Sequence, residues 1–118
     1  AKDPLDQKLL AELETIMRDE EAFKTSDLTI VTLAKKMTVT QHRLRQLINQ
    51  TLGHQNFNSF LNSYRISAVK AALRDPAKGK LSILTIALDC GFNSLTTFNR
   101  AFKESENMTP SAYRQQPE

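Results

Sequence analysis

Apolar residues recur along this chain at intervals of three and four, and the alternation of a half-buried strand is not seen. The pattern predicts an all-α fold. A first helix is expected over residues 4–23, with Asp3 as N-cap and Pro4 at the first helical position. Leu5, Leu9, Leu13 and Ile16 form its apolar stripe, with Leu10 and Met17 beside it, and Glu12, Glu14, Asp19, Glu20 and Glu21 make the other face acidic. Next come a short helix over residues 30–36, a turn at 37–39, and a helix from a Thr40 cap to about Thr51, stopped by Gly53. A longer helix is expected over residues 56–74, ended by Asp75-Pro76 because the residue before proline avoids the helical region. A short basic loop carrying Lys78 and Lys80 leads to a helix from Leu81 or Ser82 to about Cys90, a turn at Gly91, and a Ser94-capped helix over residues 95–105. Met108-Thr109-Pro110-Ser111 opens a last short helix.

One stretch of this pattern occurs twice. Leu33-Ala34 matches Ile86-Ala87, and Thr38 matches Gly91, both 53 residues on. Thr40, Leu44, Gln46 and Ile48 then match Ser94, Phe98, Arg100 and Phe102 at an offset of 54, so one residue is inserted in the turn. Two short helices joined by a tight turn are a helix-turn-helix. Ala34 and Ala87 permit close helix approach, and the inward Leu44, Ile48, Phe98 and Phe102 leave the opposite faces polar. Those faces carry Gln41, His42, Arg43, Arg45, Gln46 and Asn49 in the first copy, and Leu95, Thr96, Asn99, Arg100 and Lys103 in the second. Arg can pair with guanine, Gln and Asn with adenine, and Thr with a thymine methyl. Neither stretch, 41–50 or 95–103, contains an acidic residue in a chain that has 13.

The overall charge is +3, but residues 1–25 hold four Lys/Arg against seven Asp/Glu, while residues 26–118 hold twelve against six. The basic excess therefore lies with the repeats, as nucleic-acid binding requires. Cys90 is the one cysteine, which excludes an internal disulfide and points to a reducing cytosol, and it reads as a packed thiol. No apolar run is long enough to span a bilayer. The chain opens on Ala1 rather than Met, so a fragment of a longer polypeptide is expected.

The run Ile86-Ala87-Leu88-Asp89-Cys90-Gly91-Phe92-Asn93-Ser94, then Phe98-Asn99-Arg100-Ala101-Phe102-Lys103, then Thr109-Pro110-Ser111-Ala112-Tyr113-Arg114, resembles the signature of the AraC/XylS family of bacterial transcription regulators. Residues 57–73, with Tyr64-Arg65-Ile66, are similar to that family's linker helix, and the resemblance covers about residues 28–115. It implies a homeodomain-like DNA-binding domain of seven helices, with two helix-turn-helix subdomains joined by the linker. The expected parts are residues 1–55, 56–75 and 76–118. Carried over by position, the base contacts are His42, Arg45 and Gln46 in the first reader and Leu95, Thr96, Asn99 and Arg100 in the second. Thr40, Arg43, Asn93, Ser94, Thr97 and Lys103 fall near phosphate; Arg65 either anchors phosphate or ties the subdomains together, with the structural role favoured. Three positions depart from the family pattern. Thr38 and Asn107 stand where glycine is usual, and Gln46 stands where arginine is common. The implied partners are double-stranded DNA, RNA polymerase and an N-terminal sensor or dimerisation domain outside this chain, either soluble or membrane-embedded, with no cofactor or metal.

A linker of about 18 residues spans roughly 27 Å, against roughly 34 Å between successive major-groove segments on one DNA face. The mismatch predicts DNA bent toward the protein. The readers differ in sequence, which fits an asymmetric site bound by a monomer. A helical protein-interaction module is the alternative. An enzyme is not expected, because His42 and His54 stand 12 apart without carboxylate or cysteine spacing around them.

Overall fold

The computed structural model describes residues 4–117, so the expected Asp3 cap lies outside the described residues. Among these residues the regular structure is entirely helical: α1 Pro4–Glu14, α2 Ile30–Met37, α3 Gln41–Gln46, α4 Phe57–Leu73, α5 Ile83–Asp89, α6 Leu95–Glu106 and α7 Pro110–Gln115. The all-α, seven-helix expectation holds. The chain divides into two units, Ala1–Leu61 and Asn62–Glu118, with the boundary inside α4.

In the first unit, α1 continues through a wider π-helical turn, Thr15–Asp19, in which the Glu20 amide reaches the Thr15 carbonyl at 3.1 Å. The helix ends there, short of the expected Phe23. Asp19, Glu20 and Glu21 place three carboxylates at a helix C-terminus, where the macrodipole is already negative. Glu21 turns left-handed at φ 54°, and Phe23 returns on a short 3-10 turn to be buried. Leu9, Leu13, Ile16 and Met17 form the buried stripe, while Leu5, expected in it, remains 54% exposed one turn outside. Leu33, Ala34, Met37, Leu44, Leu47, Ile48, Phe60 and Leu61 are buried from the later helices of this unit. Helix α3 also widens into a π-helical turn, Leu47–Thr51, before Gly53 reverses the chain at φ 76°.

The second unit is built on an aromatic row. Phe92 meets Phe98 at 5.1 Å between ring centroids, Phe98 meets Phe102 at 5.8 Å, and Phe102 meets Tyr113 edge-on at 5.6 Å. Ile66, Val69, Ala72 and Leu73 of α4 and Ile86, Ala87 and Cys90 complete this core. The buried Cys90 matches its reading as a packed thiol. Arg74 lies 4.4 Å above the Tyr113 ring, and Lys70 pairs with Glu106 at 2.9 Å. Arg114 donates to the carbonyls of Leu81 and Lys78, each at 2.8 Å, and so fixes the loop that leads into α5.

Candidate nucleic-acid interface

Both helix-turn-helix copies are assembled by the same local devices. Thr29 and Ser82 cap the first helices: each hydroxyl accepts the amide three residues on, Thr32 at 3.2 Å and Thr85 at 3.0 Å. Thr40 and Ser94 cap the second helices, accepting from Arg43 at 3.0 Å and Thr97 at 3.1 Å. Such caps satisfy amides that a helix start leaves without partners. After α2, Thr38 is left-handed at φ 59°, and the Val39 amide returns to the Ala34 carbonyl at 3.0 Å. After α5, Gly91 is left-handed at φ 105°, and the Phe92 amide returns to the Ala87 carbonyl at 3.1 Å. The matching return bonds still keep the offset of 53, whereas the caps have moved to 54. The inserted residue is therefore Asn93, exposed between Phe92 and the Ser94 cap.

The burial pattern orients each second helix. On α3, Leu44 is buried, with Leu47 and Ile48 behind it; His42 and Arg45 are exposed and Gln46 is half-buried. On α6, Phe98, Ala101 and Phe102 are buried, leaving Thr96, Asn99, Arg100 and Lys103 exposed together with Leu95 at 42%. Among the described residues, Arg45, Arg100 and Lys103 hold no ion pair. Their charge is available to a ligand. Leu95, Asn99 and Lys103 also border an open groove of about 470 Å³ with Ile83, Leu84 and Pro110.

The residues expected near phosphate are arranged less uniformly. Thr40 and Ser94 spend their hydroxyls as caps, and Ser94 Oγ also donates to Thr97 Oγ1 at 2.9 Å. Asn93 is exposed at the start of α6. Arg43 is paired with Asp6 of α1, a partner that the sequence pattern did not reveal across 37 residues. Arg65 is only 8% exposed and lies 6.0 Å from the Phe92 ring centre, just before the second reader. Burial lowers its guanidinium pKa from the ordinary arginine value.

Comparison with known proteins agrees with this architecture. A family model described as a helix-turn-helix domain matches residues 33–116. The right origin-binding protein of Escherichia coli strain K12 is 34% identical over 91 residues, covering 77% of this chain and 30% of that protein. The regulatory protein SoxS of the same strain is 31% identical over 87 residues, covering 74% of this chain and 78% of SoxS. The chain thus spans less than a third of the first relative and most of the second. A transcriptional regulator from Chromobacterium violaceum, described as containing an AraC-type DNA-binding domain, superposes with a TM-score of 0.77 over 98% of this chain and all of that one, at 24% identity. With a duplicated, capped helix-turn-helix, a family model matched over residues 33–116 and a relative covered to 78% of its length, the chain belongs to the AraC/XylS family of transcription regulators.

Proposed function

We propose that this chain binds double-stranded DNA sequence-specifically as the DNA-binding part of a transcription regulator. The α3 and α6 faces read successive major-groove segments. The observation that carries this reading is the pair of capped recognition helices whose exposed faces are free of carboxylates over residues 41–50 and 95–103. A helix facing phosphates is favoured when carboxylates, which would repel them, are kept off its face. His42, Arg45, Gln46, Leu95, Thr96, Asn99 and Arg100 are the proposed base-reading set. Asn93, Thr97 and Lys103 stand beside the backbone, with Thr40 and Ser94 orienting the helix starts. RNA polymerase and an N-terminal sensor or dimerisation domain are the further proposed partners; both rest on the family. Among the described residues no helix is long and apolar enough to cross a membrane. A reducing cytosol suits a chain whose one cysteine, Cys90, is a buried thiol.

The test is in vitro selection of bound duplexes, followed by titration of the selected site at increasing salt. A recovered asymmetric motif, with affinity falling steeply as counterion release loses its advantage, is the expected result. Recovery of no motif together with salt-insensitive binding would transfer the faces to a protein partner.

A further inference from the structure

We infer that Asp6 is the carboxylate that a DNA phosphate displaces from Arg43, making α1 a charge brake on the first reader. The inference rests on the DNA-binding reading above. Thr40 is the N-cap of α3, so Arg43 sits in the first turn, where the helix dipole favours an anion and a cation is misplaced. A cation retained at such a position needs an anionic neighbour. In the free protein that neighbour is the Asp6 carboxylate, bonded to Arg43 Nη2. The pair is not sealed: the Arg43 side chain is 33% exposed and that of Asp6 21%, so a phosphate can reach the same guanidinium.

The other end of the first helical segment repeats the arrangement. Glu20 pairs with Lys36 of α2 at 2.8 Å, so the acidic N-terminal segment holds a cation on each helix of the first helix-turn-helix. Arg45, on the exposed face of α3, has no such partner among the described residues. Arg43 and Arg45 thus differ in state before DNA arrives: one must exchange a carboxylate for a phosphate, and the other is open. Because a phosphate carries no sequence information, the exchange alters affinity for every duplex alike.

Asp6→Asn removes the competing charge and keeps the side chain's size. With a labelled duplex of arbitrary sequence, this variant should bind more tightly than the parent at low salt. The gain should be up to about fivefold, the worth of a part-exposed ion pair, and the slope of log affinity against log salt should stay as in the parent, because Arg43 neutralises one phosphate in both. Arg43→Ala should flatten the slope by about one, and Asp6→Asn/Arg43→Ala should match Arg43→Ala alone. Unchanged affinity in a folded Asp6→Asn variant overturns the inference, as does a gain that persists without Arg43. If Asp6→Asn fails to fold, the slope of Arg43→Ala decides: no change there also overturns it. Failure of the parent to bind any duplex in a salt-dependent way would instead remove the DNA-binding reading itself.

Discussion

Thr38 and Gly91 hold the same left-handed turn position in the two helix-turn-helix copies, at φ 59° and 105°. Only glycine adopts that region without a steric penalty, and a β-branched side chain is among the least suited to it. The turn with threonine is strained but not reshaped, since its return bond from Val39 to Ala34 is the counterpart of Phe92 to Ala87. Left-handed backbone costs an L-residue about 1–2 kcal/mol, and glycine's greater unfolded-state freedom returns about 0.5–1. Thr38→Gly should therefore stabilise the first unit by about 0.5–1 kcal/mol, read as a higher urea midpoint. By the same sum, Gly91→Ala should destabilise the second unit by about 0.5–1 kcal/mol. A lower midpoint for Thr38→Gly would mean that the Thr38 side chain supports the turn.

Arg100 and Lys103 share the exposed face of α6 but should answer differently to removal. Arg100→Ala is expected to cost roughly 1–3 kcal/mol on the selected site and to relax preference at one base pair. Lys103→Ala should weaken all sequences about equally and lower the salt slope by about one. Competition binding against single-base variants of the site separates the two. Uniform weakening by Arg100→Ala would assign that residue to phosphate.

The caps set where each reader begins. Thr40→Ala and Ser94→Ala should each destabilise by about 1 kcal/mol, because the amides of Arg43 and Thr97 lose their acceptors. The corresponding glycine variants should cost only a few tenths of that. Equal losses for alanine and glycine in urea unfolding would show that the hydroxyls matter for something other than capping.

Glu106 makes the second unit mildly pH-sensitive. The Ser105 hydroxyl, and then Lys70, hold its carboxyl below the usual value, while the hydrogen bond to Glu106 raises the Lys70 pKa. The Glu106 contribution is present above the unfolded carboxylate pKa and is lost as pH falls through the depressed folded value. The Lys70 contribution is present below the unfolded lysine pKa and is lost as pH rises through the raised one. Since the pair is partly exposed, Lys70 at 37% and Glu106 at 17%, Glu106→Gln should remove about 1 kcal/mol or less at neutral pH. It should also flatten the acid limb of the unit's thermal stability. An unchanged acid limb would place that sensitivity on other carboxylates.

The helices were legible in the sequence because each has a local cause: hydroxyl caps at Thr40 and Ser94, glycine or asparagine where the backbone turns left-handed, and proline after Asp75. Asn107, at φ 60°, does what its tolerance of that region predicts. The exposed faces of α3 and α6 were legible for the same reason, since apolar spacing fixes which side is buried. Long-range pairing was not legible. Nothing near Asp6 in the sequence names Arg43, and nothing near Arg114 names the carbonyls of Lys78 and Leu81. The early end of α1 was missed for a related reason: apolar spacing ran on to Phe23, while the carboxylates of Asp19, Glu20 and Glu21 had already stopped the helix.

Tyr113, wedged between Phe102 and Arg74, has a use beyond packing. The sequence has two tyrosines, Tyr64 and Tyr113, and no tryptophan, and both tyrosines fall in the second unit. Their intrinsic emission is a native optical label for one half of the molecule. It can be followed through melting or titration with DNA while the first half stays dark, so the second reader can be timed by itself without a dye.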